Sequence, residues 1–301
     1  MKRREFFALA AAAVTARNAV AAAPDLSNVK SRPTPKWEIV YKTPHAKPNG
    51  LDIQREGMWI LDQGPESWVS LVNPADGKLI REFKTDVDAG SGITVDADNV
   101  MWITSTHNSL IVSCSPQDGK TIAKYWTPGA GRIFRMKGDP EGRRTNLDPA
   151  YPPPPRQGGG GGGGRRGGGN SLSYGQVPLD TQDGAGGTGA HGIVAKDGLL
   201  YFANPPARHL FVIDKKTWEV QDWWPLPGNR THGLTWDENR ETLWNADSNW
   251  NAFYRLDGKT GKITEKIQLP NDSPVIHGAT LHEGYMLCCD DVGWIWRFKM
   301  A

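Results

Sequence analysis

A glycine led by Asn, Ser or His and followed by an apolar residue recurs five times: Asn49-Gly50-Leu51, Ser91-Gly92-Ile93, His191-Gly192-Ile193, His232-Gly233-Leu234 and His277-Gly278-Ala279. The glycines lie 42, 100, 41 and 45 residues apart, and the long interval becomes 42 once 58 residues are set aside as an insertion in the second unit. A repeat of 41 to 45 residues matches one four-stranded blade of a β-propeller, a unit that buries its apolar faces only by stacking on its neighbours.

Each unit reads as four short strands. One follows the glycine; a second, whose second residue comes 9 to 11 residues after that glycine, stands at 58–61, 101–103, 200–202, 243–244 and 286–287. Third strands are expected at 68–72, 110–114, 210–213, 252–256 and 294–298, and fourth strands at 79–83, 121–126, 219–224 and 263–269. Between third and fourth stand Asp76-Gly77-Lys78, Asp118-Gly119-Lys120 and Thr260-Gly261-Lys262, where glycine supplies the positive φ of a tight hairpin. The fifth unit ends after its third strand, leaving an open edge. Residues 37–41 have no unit of their own, and pairing them with 294–298 closes the ring. The expected fold is therefore all-β, a five-bladed propeller of four-stranded antiparallel blades closed by the N-terminal strand. A sixth blade hidden in the insertion is the alternative.

Residues 1–23 carry Arg3-Arg4, an Ala-rich apolar stretch and Ala21-Ala22-Ala23 before Pro24, the pattern of an export signal of the twin-arginine type. It predicts a periplasmic or secreted protein that passes through the twin-arginine machinery and has no membrane span. Residues 24–301 then form one domain interrupted by a Gly/Pro-rich insertion at about 133–190, of which 151–169 reads YPPPPRQGGGGGGGRRGGG. Such a composition buries too little side chain to offset ordering; the segment joins blades two and three on the face where the inner strands begin, so a lid is geometrically open to it. Removing residues 1–23 takes the charge from +2 to −1, which leaves no electrostatic footprint for nucleic acid. Three cysteines, Cys114, Cys288 and Cys289, make no even-numbered disulfide framework. The adjacent pair is read as alternating faces of one strand, one packed and one near a loop. Trp59, Trp102 and Trp244 occupy equivalent positions and are read as packing between blades.

The residue before each repeat glycine opens an inner strand, so Asn49, Ser91, His191, His232 and His277 converge on the axis. Three imidazoles on successive blades suit a divalent transition metal such as zinc, iron, copper or manganese, with His191, His232 and His277 as ligands; the alternative is that they hydrogen-bond neighbouring blades. Ring closure places Asn49 beside His277. Asn49, Ser91, His107 and Asn204 are candidate substrate-binding residues on the same face. Asp247 and Asp62, each ending an apolar second strand, are the candidate proton-transfer groups.

The units PNGLDIQREGMWILD and HGLTWDENRETLWNAD resemble the blade repeat of the gluconolactonase, regucalcin and virginiamycin B lyase superfamily. The resemblance implies a propeller, with divalent-metal ligands just before the glycine of such units, here Asn49, His191, His232 and His277. It further implies hydrolase or lyase chemistry, lactonase-like, on a small oxygenated molecule at the channel mouth. A non-catalytic ligand- or protein-binding propeller and an iron or copper redox enzyme are the other readings; no Cys-x-x-Cys-His haem motif is present.

Overall fold

The computed structural model describes residues 24–32, 35–131, 133, 139–140, 176–177, 188–237, 239 and 241–300. The segment expected to be an export signal and most of the insertion, including its arginines, its glycine run and the expected lid, lie outside the described residues. Among those described there is no helix, and so no helix long and apolar enough to cross a membrane.

The strands form five antiparallel blades around one axis. Blade 1 is Pro48–Gln54, Gly57–Asp62, Trp68–Val72 and Leu79–Lys84. Blade 2 is Gly90–Val95, Met101–Ser105, Leu110–Cys114 and Thr121–Trp126. Blade 3 is Ile193–Lys196, Leu199–Asn204, His209–Asp214 and Val220–Pro225, and blade 4 is Thr231–Trp236, Thr242–Asp247, Ala252–Asp257 and Ile263–Gln268. Blade 5 takes three strands from the C-terminus, Ala279–His282, Tyr285–Cys289 and Trp294–Lys299, and its outer strand, Trp37–Lys42, from the N-terminus, with Trp37 opposite Phe298. That pairing closes the ring as expected. Its physical merit is that the open edge of an incomplete blade is covered by the segment that would otherwise have no partner.

Two additions were not anticipated. Lys30–Arg32 pairs in parallel with the outer strand of blade 4, Lys30 opposite Glu265, so the N-terminal segment fastens blade 4 before closing blade 5. Gln176–Val177, inside the insertion, adds to the outer strand of blade 2. Among the described residues the insertion supplies no sixth blade.

The apolar faces stack between blades. Trp59 is buried between blades 1 and 2, Trp102 between 2 and 3, and Trp244 between 4 and 5. Each such burial is worth roughly 4 to 6 kcal/mol of transfer free energy at ~25 cal/mol per Å². The adjacent cysteines take opposite faces of their strand as expected and both are buried: Cys288 lies between blades 4 and 5, and Cys289, the last strand residue before the Asp290 loop, between 5 and 1. A strand interior sandwiched on both faces hides alternate residues equally. The blade 3 hairpin escaped the glycine signal because Trp218 holds the left-handed position at φ 59° that Gly77, Gly119 and Gly261 hold in the others. Its indole stacks on Tyr125 at 4.1 Å, packing that compensates the backbone cost.

The repeat glycines let the five inner strands meet. A Cβ on Gly92 would lie 2.2 Å from the His191 carbonyl oxygen, and one on Gly192 would lie 1.9 Å from that of His232. Gly233 faces Ala279, Gly278 faces Leu51, and Gly50 returns the contact to Ile93. The channel is thereby reduced to a cavity of about 10 Å³ lined by these strands, room for about one water. Of the two ends of the axis, the one where the inner strands begin carries the residues that precede the glycines.

Candidate functional site: the axial histidine arc

At that end the residues preceding the glycines form a continuous arc. Ser91 Oγ lies 3.2 Å from His191 Nδ1. The His191 ring meets the His232 ring edge-on at 4.7 Å and 71°, and His232 stacks on His277 at 4.6 Å and 10°. His277 Nδ1 is 3.0 Å from Asn49 Oδ1. Five residues spread over 228 positions of sequence, from Asn49 to His277, are thus joined side chain to side chain. Asn49, Ser91, His232 and His277 are buried, and His191 is the half-buried member.

Hydrogen bonds assign the tautomers. Ser248 donates its hydroxyl proton to the Ile276 carbonyl, so its oxygen accepts from His232 Nδ1 at 2.6 Å. His277 Nδ1 donates to the Asn49 amide oxygen at 3.0 Å, and its Nε2 faces Arg230 Nη2 at 3.4 Å. Asp291 Oδ2 stands 3.9 Å from the same nitrogen. Ser248 belongs to the layer expected at the ends of the second strands, whereas Arg230 was missed from the sequence; the available signal was position, Arg230 lying two residues before His232.

The arrangement does not fit a metal centre. An imidazole nitrogen binds a metal through a lone pair in the ring plane, at about 2.0 to 2.1 Å. Rings parallel to within 10° at 4.6 Å cannot both aim in-plane lone pairs at one ion. A guanidinium beside His277 Nε2 adds like charge where the cation would sit. Among the described residues no three His, Cys, Asp or Glu side chains are placed to ligate one ion.

The two candidate proton-transfer carboxylates are turn caps. Asp62 accepts the backbone N–H groups of Lys47 and Gly64, both at 2.6 Å. Asp247 accepts those of Arg230 (3.0 Å), Asn249 (2.9 Å) and Trp250 (2.9 Å). Burial pushes the Asp247 carboxyl above the usual carboxylate range, against the lowering pull of those N–H groups and of the Arg230 charge. Asp290 does the same in blade 5, accepting from Val292, Gly293 and Trp294. At this point of every blade the second strand must be tied to the loops around it, and a carboxylate that accepts several N–H groups does so while desolvated. Asn204 fills the place in blade 3, its amide donating to the Pro128 carbonyl at 2.6 Å. His107 is exposed in the loop after the second strand of blade 2, outside the hydrogen-bonded arc.

A larger hollow of about 350 Å³ lies at the opposite end, lined by Arg32, Asp237, Trp244 and Arg255 among others. Its two guanidinium groups are paired with Glu265 and Asp237, so opposite charges are matched within the protein itself.

These features define a five-bladed β-propeller with a hydrogen-bonded imidazole arc at one end of a nearly closed axis. No family model and no curated protein matches the sequence. Among solved structures, a glutaminyl cyclase from Myxococcus xanthus superposes with a TM-score of 0.53 at 10% identity, over 87% of this chain and 94% of that one. A catalytically inactive virginiamycin B lyase from Staphylococcus aureus, solved with quinupristin, gives 0.46 at 17% identity over 86% and 68%. A streptogramin B lyase gives 0.46 at 16% over 87% and 96%. At these identities the likeness is one of fold.

Proposed function

We propose that this protein is an exported enzyme performing lyase or hydrolase chemistry on a small oxygenated molecule at the axial mouth. The observation that carries this reading is the arc itself: five blades each deliver the residue before the glycine to one side-chain chain, three of them imidazoles. Rigid inner strands are a scaffold on which proton-transfer groups keep their geometry.

His191, the half-buried member of the arc, is assigned the substrate contact, its Nε2 being covered until the mouth opens to a ligand. It takes a proton from a carbon acid in a lyase step, or from water in a hydrolytic one. His232 contacts it edge-on and is oriented by Ser248; His277 stands behind, oriented by Asn49. Asp247 acts through the Arg230 loop and not on substrate. No step in this reading passes through a metal. That the solved propellers resembling this chain include enzymes supports catalysis on such a fold, and nothing finer. The twin-arginine pattern of residues 1–23 supports export.

The test is turnover by the purified chain on a panel of lactones, esters and β-eliminable oxygenated substrates, with His191→Ala, His232→Ala and His277→Ala beside the wild type. His191→Ala should lower kcat by about 100-fold or more. Turnover that survives all three changes, or binding of panel compounds without turnover, overturns the enzymatic reading; the latter outcome favours a binding propeller.

A further inference from the structure

We infer that Arg208 is the positioning residue for His232, and that its buried ion pair with Asp139 makes the placement of that imidazole depend on the insertion. This rests on reading the arc as the reaction centre and adds to it a pair of residues that lie outside the arc.

The residue at the head of the third strand has the same task from blade to blade. Ser67, Ser109, Arg208 and Asn251 all hold left-handed backbone, at φ 48°, 57°, 55° and 50°. Each offers its carbonyl to the first N–H after the outer strand, that of Thr85, Thr127, Leu226 and Leu269. For Ser67, Arg208 and Asn251 the side chain then reaches a carbonyl in the connection to the next blade. Ser67 Oγ donates to Val87, Arg208 Nη2 to Pro227 at 2.5 Å, and Asn251 Nδ2 to Pro270 at 2.8 Å. Those connections lead to Ser91, His232 and His277 in turn, so the head residue fixes the approach of the next arc residue. Blade 3 differs in using a charged donor. Arg208 Nη1 and Nη2 donate to the two carboxylate oxygens of Asp139 at 2.6 and 3.1 Å, with both side chains buried. One Nη2 group therefore serves Asp139 and Pro227 together. Bidentate charge-assisted bonds hold a guanidinium in one plane, whereas a buried guanidinium that loses its carboxylate gains by moving toward water, which loosens Pro227. Downstream, the Arg230 N–H donates to Asp247, the Arg230 carbonyl accepts from the Ser248 N–H, and the Ser248 hydroxyl oxygen accepts from His232 Nδ1. A shift at Pro227 is thus delivered to the imidazole five residues further on.

Amide hydrogen exchange and nitrogen–proton NMR of the imidazoles, on the full chain and its variants, test this without relying on turnover. Asp139→Asn keeps the shape of the side chain and removes its charge. It should quicken exchange at the Leu226, Arg230 and Ser248 amides by about 10-fold or more and move the His232 ring signals. The Ser273 amide, which donates to Pro270 in the connection that Asn251 holds, should keep its wild-type rate. Asn251→Gly, which suits the left-handed backbone and deletes the donor, should do the reverse, quickening Ser273 and leaving Arg230 unchanged. Arg208→Lys, a point charge in place of parallel N–H groups, should behave as Asp139→Asn does, and Asp139→Glu should return the His232 signals most of the way. Equal quickening at all four amides, or a His232 ring unmoved in both Asp139→Asn and Arg208→Lys, overturns the inference and reduces the pair to a general contribution to stability. The enzymatic reading fails differently. His232 displaced while the kcat of an active wild type is unchanged takes the arc out of the chemistry and leaves Arg208 as its positioning residue; kcat lost with His232 in place does the reverse.

Discussion

Gly192 is the tightest point of the axial ring, and replacing it with alanine measures how closely the inner strands are forced together. The added Cβ would sit 1.9 Å from the His232 carbonyl oxygen, 3.0 Å from its carbonyl carbon and 3.1 Å from Leu234 Cγ. A comfortable carbon contact is about 3.5 Å, so blades 3 and 4 must separate by more than an ångström at the axis. The obstacle is backbone, which does not swing aside, and the ring is closed, so the displacement spreads to both neighbours. Overpacking of a filled core costs about 1 to 3 kcal/mol where side chains can shift; here the cost falls at or above the top of that range. With a shift of about 2 to 4 °C per kcal/mol for a domain of this size, the melting temperature should fall by about 6 to 12 °C. Gly198→Ala is the control: Gly198 has φ +81° but nothing within 4 Å of an added Cβ, so only the backbone penalty of about 1 kcal/mol applies. Thermal and urea unfolding, followed by circular dichroism, give both numbers. A Gly192→Ala chain that melts within 2 °C of wild type, or no lower than Gly198→Ala, would refute the claim that glycine is required for strand approach at the axis.

Other outcomes follow from the buried polar groups. Asp247→Ala should destabilise by about 3 kcal/mol or more, because three backbone N–H groups lose their acceptor; Asp247→Asn, keeping an oxygen for two of them, should cost about half as much in the same unfolding assay. Burial raises the Asp290 carboxyl from 3.8 to about 6. The folded state then holds this proton more tightly than the unfolded chain. Its contribution to stability is fully present below pH ~4, falls as pH rises through about 6, and totals up to roughly 3 kcal/mol. Unfolding free energies of wild type and Asp290→Asn, compared from pH 4 to 8, should differ by a pH-dependent amount of that sign; a constant difference contradicts it. Cys114, Cys288 and Cys289 are all buried, and burial pushes the Cys114 thiol up to about 12 and the other two well above the ordinary value. A thiol reagent at neutral pH should therefore react with none of the three until urea unfolds the chain.

The blade repeat was legible in the sequence because a propeller builds one local solution five times. Alternating strands, Asp-Gly hairpins and the axial glycine each report a constraint that acts within about 45 residues. Ring closure was legible for a related reason: an incomplete fifth unit and an unassigned strand at 37–41 leave one economical pairing. The convergence of Asn49, Ser91, His191, His232 and His277 followed from equivalence of position. What the rings do once they converge depends on tertiary structure alone. Whether His232 faces His277 flat or at an angle is set by side-chain torsions in a crowded axis. Whether Asp247 meets substrate or three N–H groups is set by where the Arg230 loop passes. Trp218 taking a glycine's place in the blade 3 hairpin, and Lys30–Arg32 joining blade 4 in parallel, are decided by packing partners about 90 and 230 residues away. Periodicity specifies which residues meet because the backbone repeats. Orientation, hydrogen-bond partner and charge environment are properties of the assembled contacts, and no single blade contains them.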